Sequence, residues 1–288
     1  LSTTAYVSIG RGWGGTAEPN PWSSYSYSDL TKGANNGKLT TTFRKENGMF
    51  DYEAVENINR ASEYGSELVL CENRNYHNWV GLVSTYDKKW INGLELTAGI
   101  DLRYYQGIHT AVISDLMGGE YFIDATRLNS VKEENNYHRG DDAWVYEKLG
   151  IGDIAYRDYT GHVMQEGIFA SLEYSMDKLS AFINASASCN HNWRVDRFYY
   201  DENNQRSETA NKLGGTVKGG VNYNFNRYNN LFINAGFIAR QPKFNSLFMS
   251  SNVSHALNYN AKNEKIASVE IGYGFHNEYV ALNVNAYF

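Results

Sequence analysis

No apolar run in this chain approaches the roughly 18 residues that a membrane-spanning helix requires. With a mean hydropathy of -0.53 and 20% charged residues, a helical membrane protein is excluded. Basic clusters are absent too, and a net charge of -6 leaves no electrostatic footprint for nucleic acid. There are only two cysteines, Cys71 and Cys189; they lie far apart and form no metal spacing. A disulfide between them in an oxidising compartment is the weaker reading. No G-x-S-x-G elbow and no H-E-x-x-H pair occurs, so no motif commits the chain to catalysis. His162, His191 and His255 flank strands and read as interface or loop residues. No signal peptide and no initiator Met precede Leu1, so the chain reads as a processed or excised piece.

What is present is alternation. From Leu213 to Phe225, Leu, Val, Tyr and Phe interleave with Gly on one face, while Thr216, Lys218, Asn222 and Asn224 take the other. That is the period of a β-strand. Leu231 to Arg240, Ser268 to His276 and Tyr279 to Phe288 repeat the pattern. Upstream, Leu1 to Ile9, Asn78 to Tyr86, Leu94 to Tyr105, Val163 to Ser175 and Leu179 to Asn190 do the same, giving about nine strands. Between Leu94 and Tyr105, Glu95, Asp101 and Arg103 share one face. Charges in line are costly inside a packed sandwich and cost little beside a wet lumen.

Short turns at Lys88 to Gly93, Met176 to Lys178, Asn226 to Asn230 and His276 to Glu278 alternate with long connections. Alternation by itself fits a soluble sandwich or a membrane barrel. The connection lengths, strands of about ten residues and aromatic strand ends favour the barrel. Aromatic residues make up 15% of the chain, 23 of them Tyr, which suits interfacial girdles and equally a glycan-binding β-protein.

The connections carry the candidate ligand contacts. Gly10 to Gly15 spells G-x-G-x-x-G after a strand, but Pro19 and Pro21 follow where a nucleotide-binding helix has to begin, so a flexible loop mouth is the better reading. The segment from Gly10 to Tyr76 is too long for a plain connection. Asp51 reads as the N-cap of a short helix presenting Ala54, Val55, Ile58 and Ala61. Trp13, Trp22, Tyr25 and Tyr27 are the residues there that would stack on a sugar or an aromatic ligand. From Gly107 to Gly161, Asp115, Asp124, Glu133, Glu134, Asp141, Asp142 and His138 lack calcium-loop spacing and read as a solvated acidic loop. A third connection, His191 to Lys212, reads as solvated.

Arg240-Gln241-Pro242-Lys243-Phe244-Asn245-Ser246-Leu247-Phe248 resembles the R-x-P-x-F-x-x-L-F stretch of TonB-dependent receptors. Asn263-Glu264-Lys265 followed by Glu270-Ile271-Gly272-Tyr273 is similar to the N-x-E-K and E-[IL]-G-Y stretches of their Bacteroidetes-type members. The SIGRG opening and the strand start at Asn78-Trp79 are less specific. The resemblance implies a bacterial outer-membrane receptor that binds a scarce ligand (an iron chelate, a cobalamin or an oligosaccharide) with its outer loops. Import would be energised by the TonB complex through a plug domain that this chain does not contain. It implies no enzyme activity, no cofactor and no nucleic-acid partner, and outer-membrane lipid around the strands. A passive porin and a soluble glycan-binding β-sheet protein are the alternatives.

The expected fold is therefore all-β: an antiparallel transmembrane β-barrel, partial, spanning residues 1 to 288. Leu96, Ile100, Ile183, Val217, Val221, Ile233 and Val269 are expected on the outer face, and Asp101, Arg103, Asn184, Lys218, Asn222 and Glu270 on the inner. Gly10 to Tyr76 and Gly107 to Gly161 are expected at the end opposite the turns at Asp177 and Asn277. Strand parity predicts that the first and last strands do not pair.

Overall fold

The structure, a computed structural model, describes residues 1–25 and 42–288. One antiparallel sheet of ten strands forms the molecule. Its strands are β1 (Ser2–Gly10), β2 (Trp13–Pro19), β3 (Leu68–Lys89), β4 (Leu94–Asp115) and β5 (Ile154–Met176), followed by β6 (Leu179–Asp196), β7 (Ala210–Asn226), β8 (Asn229–Arg240), β9 (Glu264–His276) and β10 (Ala281–Tyr287). The order runs β1, β3, β4 and onward to β10, with β2 beside β3. The sheet is open, and β1 and β10 are its opposite edges.

The nine strands on that path are those expected from alternation; β2 is the addition. It occupies the stretch read as a flexible loop mouth. β1 pairs with the Asn78 half of β3 and β2 with the Leu68 half. Between them the Asn75 amide donates to Gly12 O at 2.8 Å. The two thus make one long edge strand interrupted at Arg11, and a strand rather than a helix follows the glycines.

Three further strands are longer than expected. β4 continues to Asp115, β5 begins at Ile154 and β6 runs to Asp196, so the second and third connections are partly sheet. The long connections leave the sheet at the end marked by Leu70, Asp115 and Asp158, and the turns at Asp177 and Asn277 lie at the other end, as parity demands. At the turn end, β5 and β6 are joined by two residues, with Asp177 at φ 50° supplying the left-handed conformation of a tight hairpin.

Cross-strand register puts Leu96, Leu172, Ile183 and Gly219 on one face, and Asp101, Gly167 and Ser188 on the other. The apolar face is bare. Ile168, Val217, Ile183 and Val269 are each half or more exposed, and among the described residues no second sheet lies over this continuous apolar surface. That excludes a sandwich. From Leu94 to Tyr104 the belt is about 33 Å along the strand at about 3.3 Å per residue, or about 25 Å in height at a tilt of about 40°. Aromatic residues bound it. Tyr104, His162 and Trp193 stack across the upper rim, and Tyr174, Tyr223, Phe225 and Tyr273 lie toward the turn end. These are the proportions of a hydrocarbon-facing barrel wall.

The polar face is the enclosed one. Arg103 Nε donates to Asp101 Oδ1 at 2.9 Å on it, and the connection from β8 to β9 folds back over it. Gln241 Nε2 donates to Ser188 Oγ at 2.7 Å, and the Phe244 ring covers Gly161. Within this connection lies a one-turn helix, Phe244–Leu247.

Buried apolar side chains gather at the loop end, above the belt. Helix α1 (Tyr52–Ala61) is capped by Asp51, which accepts from the Ala54 amide at 3.2 Å. Its Val55, with Ala54 and Ile58, packs on Leu68, Ala17 and Met117. Asn59, unremarkable in sequence, is buried and fully bonded: Nδ2 donates to the carbonyls of Leu68, Leu116 and Met117, and Oδ1 accepts from the Glu67 and Leu68 amides. In the acidic connection Asp115, Glu133, Glu134, Asp141 and Asp142 are exposed, as expected, and Asp124 is the exception. Asp124 is 2% exposed and accepts from the Thr126 and Tyr156 amides. Cys71 and Cys189 are both free thiols.

Candidate ligand-binding site

Above the belt, the inner face of β3, β4 and β5 and the β8–β9 connection border a partly open cavity of about 370 Å³. That volume suits a monosaccharide-sized solute. The alternation of β4 carries Tyr105, Gly107 and His109 into it, and that of β5 carries Arg157, Tyr159 and Gly161. The connection closes it with Phe244, Asn245, Ser251 and Asn252.

Hydrogen bonds fix two of its walls. His109 Nδ1–H donates to Asn75 Oδ1 at 2.7 Å, which leaves Nε2 of the neutral ring with its lone pair free to accept. The imidazole stacks on Tyr159 with centroids 4.7 Å apart. Burial, and then the Arg157 charge, pushes His109 down to about 4, so the ring is neutral at physiological pH. The Tyr159 hydroxyl donates to Asn252 Oδ1 at 2.9 Å, tying the connection to the sheet.

Beside this cavity a charged layer closes the polar face. Arg194, fully buried, donates through Nη2 to Asp196 at 2.6 Å, and Asp196 Oδ1 accepts from the Phe198 and Tyr199 amides. His255 stacks on Tyr200 at 3.7 Å and meets Arg194 Nη1 at 3.0 Å. Burial first and the Arg194 charge second hold it down at about 4.

The aromatic residues singled out in sequence lie elsewhere. Trp13, 63% exposed, sits on β2 on the other face of the sheet, beside Phe50 and Tyr52 around a second cavity of about 390 Å³. Trp22 stacks between Tyr64 and Tyr146, at 4.9 and 6.0 Å. Tyr25 packs on Phe43 at 4.8 Å against the α1 cluster. Tyr27 lies outside the described residues. Trp13 and Tyr25 thus border the same Phe50 cluster, and Trp22 stands in a separate aromatic stack. Asn75, His109, Arg157 and Tyr159 escaped the sequence reading because they fall beyond the strand ends set there. The one signal was the continued alternation of Tyr105, Gly107 and His109, and of Arg157, Tyr159 and Gly161.

No family model matches the chain, and no curated protein does. Among solved structures it is similar to the ferric citrate transporter FecA in its unliganded form, at 10% identity and a TM-score of 0.45, over 76% of this chain and 28% of that one. It is also similar to the copper transporter OprC, at 11% identity and a TM-score of 0.47, over 79% of this chain and 32% of that one. The chain spans less than a third of the length of either transporter.

Proposed function

We propose that this chain is part of the barrel wall of a bacterial outer-membrane transporter, which captures a scarce small ligand at its outer end and imports it with energy supplied through TonB. The observation that carries this reading is the division of the sheet. One face is a bare apolar belt of bilayer height, and the other is polar and roofed by the β8–β9 connection over a partly open cavity. A roofed inner face is poorly suited to free diffusion and favours capture over a passive pore.

The stretch that resembles the TonB-dependent receptors builds that roof. Arg240 and Glu264 form an ion pair where the chain leaves β8 and re-enters at β9. Pro242 follows the end of β8, and Leu247 and Phe248 are buried beneath the connection. In the whole protein a plug domain would couple capture to the TonB complex. Trp13, Trp22, Tyr25 and Tyr27 are proposed as first contacts for an incoming iron chelate, cobalamin or oligosaccharide.

Fractionation of cells expressing the full-length protein tests this. It should sediment with the outer membrane and leave it only in detergent, and accumulation of its ligand should stop when TonB is deleted. A protein recovered monomeric in buffer without detergent would refute the membrane reading, and undiminished uptake without TonB would refute the coupling.

A further inference from the structure

The cavity under the β8–β9 connection is lined by one cation and no carboxylate. Arg157 differs from the other arginines near this end of the sheet. Arg194 is paired with Asp196 at 2.6 Å, Arg197 with Asp158 at 3.6 Å and Arg127 with Glu147 at 2.5 Å. Arg157 has no ion-pair or hydrogen-bond partner among the described residues, and its Nε and Nη2 are buried and unpartnered. Arg157 itself is half-buried, and a guanidinium with two nitrogens withdrawn from water and no counter-charge is costly, so its pairing is left to something else. The side chains around it are neutral and hydrogen-bonding: Asn75, the free Nε2 of His109, Asn245 and Ser251. They suit hydroxyl groups.

We infer that this cavity takes its solute by a carboxylate, with Arg157 supplying the counter-charge and the neutral side chains around it receiving the solute's hydroxyls. Nε and Nη2 are withdrawn from the cavity, which leaves Nη1 as the nitrogen that meets the solute; its N–H to a carboxylate oxygen is a charge-assisted bond, about twice as strong as a neutral one. The inference rests on the reading of this cavity as a capture site and adds the chemical class of what is captured.

Glucuronate and glucose share a ring and differ in one carboxylate, so calorimetric titration of both into the full-length protein in detergent tests it. Glucuronate should bind about tenfold or more tightly than glucose, and Arg157→Gln should erase that difference while Arg157→Lys keeps part of it. Since Arg157 makes no hydrogen bond or ion pair with a described residue, Arg157→Gln should unfold at the same temperature as the parent or higher. Inorganic phosphate separates two forms of the result. Competition by phosphate in the parent and not in Arg157→Gln supports a site for oxyanions generally; absence of competition supports one selective for carboxylates.

Equal binding of glucuronate and glucose, or glucuronate binding that Arg157→Gln leaves unchanged, would overturn the inference and leave the capture site standing. No binding of any probe up to about 10 mM, or early unfolding of Arg157→Gln, would overturn it as well. The transporter reading fails separately, by membrane fractionation.

Discussion

The Phe244 ring lies directly over Gly161, so close that a Cβ built on the glycine would stand 3.0 Å from Phe244 Cζ. This contact seats the β8–β9 connection on β5, three strands back from where the chain leaves β8. Gly161→Val should therefore lift the connection, at a cost of about 1–3 kcal/mol. Limited proteolysis should show faster cleavage between residues 241 and 263, and Phe244→Ala should reproduce the effect.

The two faces of the sheet should respond oppositely to charge. Val217 is 52% exposed on the apolar belt, and Val217→Arg should destabilise the protein in bilayers by about 2–4 kcal/mol. Its neighbour Lys218 points to the polar face, and Lys218→Ala should change stability by no more than about 0.5 kcal/mol. Urea unfolding from lipid vesicles measures both; an indifferent Val217→Arg would mean that this face does not meet lipid.

Asn59 joins α1 to β3 and to the segment after β4 through five hydrogen bonds. Asn59→Ala leaves buried backbone groups without partners and should cost about 3 kcal/mol. Hydrogen exchange should show the loss at the loop end, with the belt strands unchanged.

Glu18 sits on β2 near Asp124, and burial first and then that neighbour raise it from 4.5 to about 7. Its folded pKa lies above its unfolded one, so its contribution is fully present below about pH 4.5 and is lost as pH rises toward 7. Glu18→Gln removes that loss. It should match the parent at pH 4 and exceed it at pH 8 by about 2 kcal/mol after allowance for partial exposure. Melting temperatures at the two pH values test the sign.

His255 works in the opposite direction. Held down at about 4 in the folded protein, it remains neutral while the unfolded chain takes up a proton. Its contribution is therefore intact above about pH 6.5 and falls as pH drops toward 4. His255→Gln should flatten the decline between pH 6.5 and 4 in unfolding titrations; an unchanged slope would show that the stacked ring titrates normally.

Much of this was legible in the chain, and what was not has one physical cause. Alternation is local: Leu96 against Asp101, or Val217 against Lys218, reports which side of a strand is apolar and which is polar, and the belt strands followed from it. Hairpin parity then fixed which end carried the loops and placed β1 and β10 at separate edges. Where strands rise above the belt, both faces meet water or protein, and the contrast disappears. Glu72, Asn73, Arg74 and Asn75 are polar on either side, so the Leu68 half of β3 read as loop, and the glycine-rich β2 beside it likewise. The sequence by itself determined the two faces and the strand order. Only the tertiary structure decided that the β8–β9 connection crosses back over β5, enclosing His109 and Arg157, because that contact joins residues far apart in the chain and leaves no periodic trace.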